Sequence, residues 1–137
     1  MKYVLDTNVV SALRTPKHNP QVATWVASRS IADLYIAAMT VAEIGLGVAA
    51  RERKDPAVGA HLRRWFETAV LPAVAGRILP FDRAAALILS GYRVPEHAPY
   101  DDALIAAVAQ ANNATVVTRN TKHFVPLGVP VINPWEA

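Results

Sequence analysis

The sequence predicts an α/β protein, a three-layer α/β/α arrangement around a central parallel sheet of four to five strands. Short β-branched or aromatic runs alternate with helical patterns from end to end, and strands joined by crossover helices pair in parallel with both faces covered. A hydrophobic content of 53% over 137 residues is enough to build a core. No repeat, low-complexity tract or linker divides the chain, so one domain spanning residues 1–137 is expected.

Lys2 to Leu5 suits a buried first strand. Asp6-Thr7-Asn8 offers capping side chains before a short helix at Val9-Val10-Ser11-Ala12-Leu13. Asn19-Pro20 starts a helix whose Val22, Trp25 and Val26 form one packed stripe. Leu34 to Ala37 is the second strand, and Thr40 is expected to cap a helix reaching about Arg51. Asp55-Pro56 opens another, with Leu62, Trp65 and Phe66 inward and Arg63, Arg64 and Glu67 outward. Ile78-Leu79 gives a short third strand, and Asp82 caps the helix holding Ala85, Ala86 and Leu89. After the loop bracketed by Pro95 and Pro99, a helix from Tyr100 or Asp101 runs to about Asn112. Ala114 to Thr118 is a Thr- and Val-rich strand, and Val129 to Ile132 is the last.

Composition removes several function classes. There is no cysteine, which excludes disulfides and thiolate metal sites. No apolar run approaches a membrane span, and the opening stretch is too short for a signal peptide, so a cytoplasmic protein without membrane contact is expected. Gly45-Leu46-Gly47 lies inside a helical pattern with no following GKT or GKS, and no serine has the flanking glycines of a nucleophile elbow. His18, His61 and His97 fall in loop or surface-helix contexts. Net charge is +3, with ten arginines against four lysines, a mild excess compatible with phosphate binding.

Three carboxylates stand nearly alone in apolar surroundings: Asp6, Glu43 and Asp102. Desolvating a charge is costly, so such groups are normally paired or metal-bound. Each also has a structural explanation. Asp6 suits a cap, Thr40-Val41-Ala42-Glu43 fits a capping box, and Asp101 or Asp102 suits a first helical turn. Asp102 is the hardest to explain that way, because Asp101 alone would serve the turn. If the fold gathers the three, a shared divalent cation within about 5 Å of each is expected. Oxygen-only ligands suit Mg²⁺ or Mn²⁺ better than zinc.

Four segments in order, Tyr3-Val4-Leu5-Asp6-Thr7-Asn8, Thr40-Val41-Ala42-Glu43, Asp102 to Ala107 and Val116 to Phe124, resemble the PIN-domain family, specifically its VapC-like ribonuclease toxins. The tail Val131-Ile132-Asn133-Pro134-Trp135 is similar to that family's ending. The resemblance implies an endoribonuclease using Mg²⁺ or Mn²⁺, with Asp6, Glu43 and Asp102 as metal-binding acids and Asn120 where a fourth acid often stands. It also implies that Thr7 and Thr118 line the site, while Arg119 and Lys122 meet the RNA backbone. Asp101, from its helix position beside Asp102, is expected to cap the turn or support the site as an auxiliary carboxylate. His123 stands where relatives frequently have aspartate, which weakens the case for a second tightly held metal. The implied partners are a cognate antitoxin and a second copy in a homodimer, with a higher assembly when the antitoxin is bound. Ile44, Val48, Leu62, Trp65 and Phe66 are the expected interface side chains, although periodicity alone places them equally well in the monomer core. Two other readings stay open: a DNA or RNA-processing nuclease without toxin role, and a non-catalytic acidic pocket that accepts an arginine-bearing partner.

Overall fold

A computed structural model describes residues 1–137. Strand β1 (Tyr3–Leu5) leads into helices α1 (Thr7–Ala12) and α2 (Pro20–Ala27). Strand β2 (Leu34–Ala37) is followed by α3 (Ala38–Lys54), α4 (Pro56–Trp65), a π-helical turn Phe66–Val70 and the short α5 (Leu71–Ala73). Then come β3 (Ile78–Leu79), α6 (Arg83–Ser90), α7 (Tyr100–Ala111), β4 (Thr115–Val117) and β5 (Val131–Ile132). All strand pairs are parallel, in the order β3-β2-β1-β4-β5. The expected three-layer α/β/α class is what forms, with five strands.

Period-two alternation splits the core into two layers. Val4 and Val116 face one side, against the alanine-rich stripe of α7 (Ala103, Ala106, Ala107) and Phe124. Tyr3, Leu5 and Val117 face the other, with Val22, Trp25, Ile44, Val48 and Phe66. Small side chains on α7 let its backbone lie close to the sheet, whereas the opposite layer is filled by aromatic and branched residues. No helix is long and apolar enough to cross a membrane.

Two local expectations change. Strand β2 runs straight into α3, whose N-cap is Ala37 with no side-chain cap. Thr40 therefore lies inside the helix, its buried hydroxyl unpartnered, and the capping box with Glu43 does not form. Arg63 is not free in solvent either. It reaches from α4 to α3, where Nη2 meets Glu52 Oε1 at 2.7 Å and Nε meets Oε2 at 3.2 Å. Gly59 permits this helix crossing, since a Cβ there would stand 2.4 Å from Glu52 Cα.

The sheet order has a functional consequence. The chain leaves β1 toward β2 on one side, while β4 lies on the other. The carboxyl ends of β1 and β4 thus flank a topological switch point, the crevice where open α/β sheets place ligands.

Candidate active site

Asp6 and Thr118 are the residues immediately after β1 and β4, so strand pairing brings them side by side. The register Leu5↔Val117 continues in the backbone bond from Asp6 N–H to Val117 O, 2.9 Å. Asp6 is buried, and its two oxygens have separate tasks. Oδ1 accepts the Thr7 N–H at 2.8 Å, capping α1, while Oδ2 accepts the Thr118 hydroxyl at 2.7 Å. Thr118 Oγ1 accepts in turn from the Asn120 N–H at 3.0 Å. Asn8 completes the cradle. Its Nδ2 lies 3.4 Å from both Asp6 Oδ2 and Thr118 Oγ1, and its Oδ1 accepts the Arg119 N–H at 3.3 Å.

Glu43 and Asp102 approach from opposite layers. Glu43 projects from the second turn of α3 and is exposed; Asp102 stands in the first turn of α7 and is half-buried. Neither Asp102 nor the exposed Asp101 makes a capping hydrogen bond, since α7 has Pro99 at its N-cap and no side-chain cap. Burial pushes the Asp6 carboxyl above its ordinary value, and the Asp102 charge adds to this, against the pull of the Thr118 and Thr7 hydrogen bonds and His123. Partial burial likewise raises Glu43, and Asp6, Asp101 and Asp102 each raise it further. Four carboxylates thus act on one region of the surface, and their mutual repulsion is unrelieved by any lysine or arginine pair.

These residues fit a hard divalent cation. The donors are carboxylate oxygens, and Thr7 Oγ1 is buried with no partner at hydrogen-bond distance, close enough to Glu43 to lower its carboxyl. The expected tight convergence is not met. No three of the acidic or histidine side chains enclose an ion by themselves. Asp102 Oδ2 instead meets His123 Nδ1 at 2.6 Å.

The remaining expected residues divide clearly. Arg119 and Lys122 are exposed at the rim. The Arg119 guanidinium lies 4.7 Å above the Trp135 ring, and Trp135 Nε1 donates to Asn19 Oδ1 at 3.2 Å. Asn120 joins the site through its backbone N–H; its side chain is exposed and has no hydrogen bond to the acids. Of the expected interface side chains, Ile44, Val48 and Phe66 are buried in the chain's own core, while Leu62 and Trp65 are half-buried. His18, His61 and His97 are exposed, as expected. Two participants carried no clear sequence signal. Asn8 was indistinguishable from a helix cap, and His123 was visible only as a departure from the family's acid.

Residues 3–125 match the PIN domain family. The chain is 39% identical to toxin FitB of Neisseria gonorrhoeae over 138 residues, covering 97% of this chain and 98% of that one. It is 38% identical to a VapC ribonuclease of Sinorhizobium fredii, covering 97% of each. The crystal structure of FitAcB from Neisseria gonorrhoeae superposes with a TM-score of 0.87 at 38% identity, covering 98% of this chain and 99% of that chain.

Proposed function

The chain belongs to the PIN-domain family of VapC-like toxins, and on that premise we propose that the β1–β4 crevice is a metal-dependent endoribonuclease site, the toxin half of a toxin–antitoxin pair. The observation that supports the assignment is the Asp6–Thr118 hydrogen bond across the β1–β4 switch point, beside Glu43 and Asp102, neither of which caps its own helix. Capping does not account for Glu43 and Asp102, which accept no helix-start amide.

Asp6 is the fixed member. With both oxygens held by Thr7 and Thr118, its carboxylate cannot turn, which is the preorganisation that a reacting phosphate requires. Glu43 and Asp102 flank it from the two helical layers and face solvent enough for an RNA strand to reach them. A divalent cation, Mg²⁺ or Mn²⁺, held by these three acids would supply Lewis acidity, easing proton loss from water and offsetting charge on the phosphate. Arg119 and Lys122 attract the RNA backbone beside the acids. The stack on Trp135 holds Arg119 ready, so less side-chain freedom is lost on binding.

The relatives' names point to the same pairing: one is a toxin and one a ribonuclease. A cognate antitoxin and a second copy of the chain are the proposed partners. Leu62 and Trp65 are the side chains left for such contacts, and Trp65 borders an apolar pocket with Leu13, Val26 and Ile31. To test the activity, antitoxin-free chain is incubated with single-stranded RNA, with Mg²⁺ or with excess chelator. Cleavage only with the ion is expected. Equal cleavage in chelator, or none with Mg²⁺ or Mn²⁺, would contradict the assignment.

A further inference from the structure

Building on the metal-site reading above, we propose that His123 is itself a cation ligand, giving this site a mixed nitrogen–oxygen donor set that favours Mn²⁺ over Mg²⁺. The 3-10 turn Thr121–His123 follows Asn120 at the carboxyl end of β4, and the next residue, Phe124, is fully buried in the α7 layer. That anchor fixes where the imidazole stands. Its Nδ1 faces Asp102 Oδ2 at 2.6 Å.

Adjacent ligands of one divalent ion stand roughly 3 Å apart. The His123–Asp102 pair therefore needs little opening to bind the same ion through both atoms. The imidazole ligates through Nδ1 when its proton resides on Nε2. The side chains are 31% and 17% exposed, so an ion reaches them without disturbing the core. Water and substrate phosphate would have to complete the shell, since the side chains alone form no three-donor cage.

The nitrogen donor is what discriminates between ions. Mg²⁺ prefers oxygen and gives up water reluctantly. Imidazole suits transition metals, and here it would join Asp102 on the ion. Replacing one possible carboxylate by a neutral ring also limits the repulsion already evident among the acids. The alternative is that His123 only orients Asp102 through a hydrogen bond. Both roles would affect cleavage, so cleavage does not separate them.

Pulsed EPR on the antitoxin-free full chain loaded with Mn²⁺ does. A directly ligated nitrogen coupling is expected in the wild type and absent from Mn²⁺-bound His123→Asp, a variant that makes the donor set all oxygen. Calorimetry should show the Mn²⁺ preference over Mg²⁺ falling on the order of tenfold in that variant. Circular dichroism checks that it folds, and His123→Gln serves in its place if it does not. Bound Mn²⁺ without nitrogen coupling in the wild type, or coupling that survives the substitution, overturns the inference and leaves the carboxylate site standing. Failure to bind Mn²⁺ at all overturns both.

Discussion

Two groups of acidic side chains stand near helix starts in this molecule, and their hydrogen bonds separate them. Asp55 accepts the Val58 N–H at 3.3 Å and Asp82 accepts the Ala85 N–H at 3.0 Å, each three residues on within its own helix. Asp102 and Glu43 accept no amide of their helices; the Asp102 charge raises both Asp6 and Glu43, and Asp6 raises Glu43. Asp6 belongs to both groups, capping α1 with one oxygen and meeting Thr118 with the other. The same residue type at similar local positions thus serves the backbone in one group and the site in the other. What distinguishes them is whether the carboxylate accepts an amide of its own helix start.

Substitutions can break this distinction if it is false. The largest effect is expected from Asp6→Asn, which should lower RNA cleavage on the order of thousandfold, because a charge that helps hold the ion contributes several kcal/mol in the transition state. A gel assay on the folded variant checks it; cleavage within tenfold of wild type would merge the two groups. A smaller change is expected at the rim. Trp135→Ala frees the Arg119 guanidinium, and KM for RNA should rise about tenfold with kcat little altered, as expected when uniform binding is removed.

Glu43→Gln should lower cleavage, though less than Asp6→Asn does, yet raise the melting temperature of the metal-free protein at neutral pH, since the cost of partly burying the charge and the repulsion from Asp6, Asp101 and Asp102 disappear. The pH dependence carries the opposite sign to a salt bridge. Asp6 and Glu43 are raised above 3.8 and 4.5, so the folded chain takes up protons before the unfolded one does. Their destabilising contribution is complete above the raised values and vanishes as pH falls through them to the ordinary ones. The stability advantage of Glu43→Gln should therefore shrink at acidic pH, as read by thermal melts across that range. The smallest effect belongs to the capping group. Asp82→Ala should cost about 1 kcal/mol of stability, measured by denaturant unfolding, and leave kcat/KM unchanged.

Much of this was legible before folding. The alternation of strand and helix patterns gave the layers, and Asp6 and Asp102 stood out because an apolar run adjoined each. Glu43 was ambiguous for a physical reason. The capping box needs a helix that begins at Thr40, and β2 continuing directly into α3 moved that start to Ala38. The stripe Ile44, Val48 and Phe66 shows a second limit. Helical period identifies an apolar face but not whether the chain or a partner covers it, and here the sheet does. His123 depended on a three-residue turn meeting a helix 21 positions earlier, a contact no local pattern encodes.

The central claim is that Asp6, Glu43 and Asp102 serve RNA cleavage at the crevice, while acids that only cap a helix, such as Asp82, do not. Its most direct test assays Asp102→Asn and Asp82→Asn together, as folded, antitoxin-free chains with Mg²⁺ and the same single-stranded RNA. The account predicts no detectable cleavage by Asp102→Asn and wild-type cleavage by Asp82→Asn. Equal activity in the two variants would contradict it.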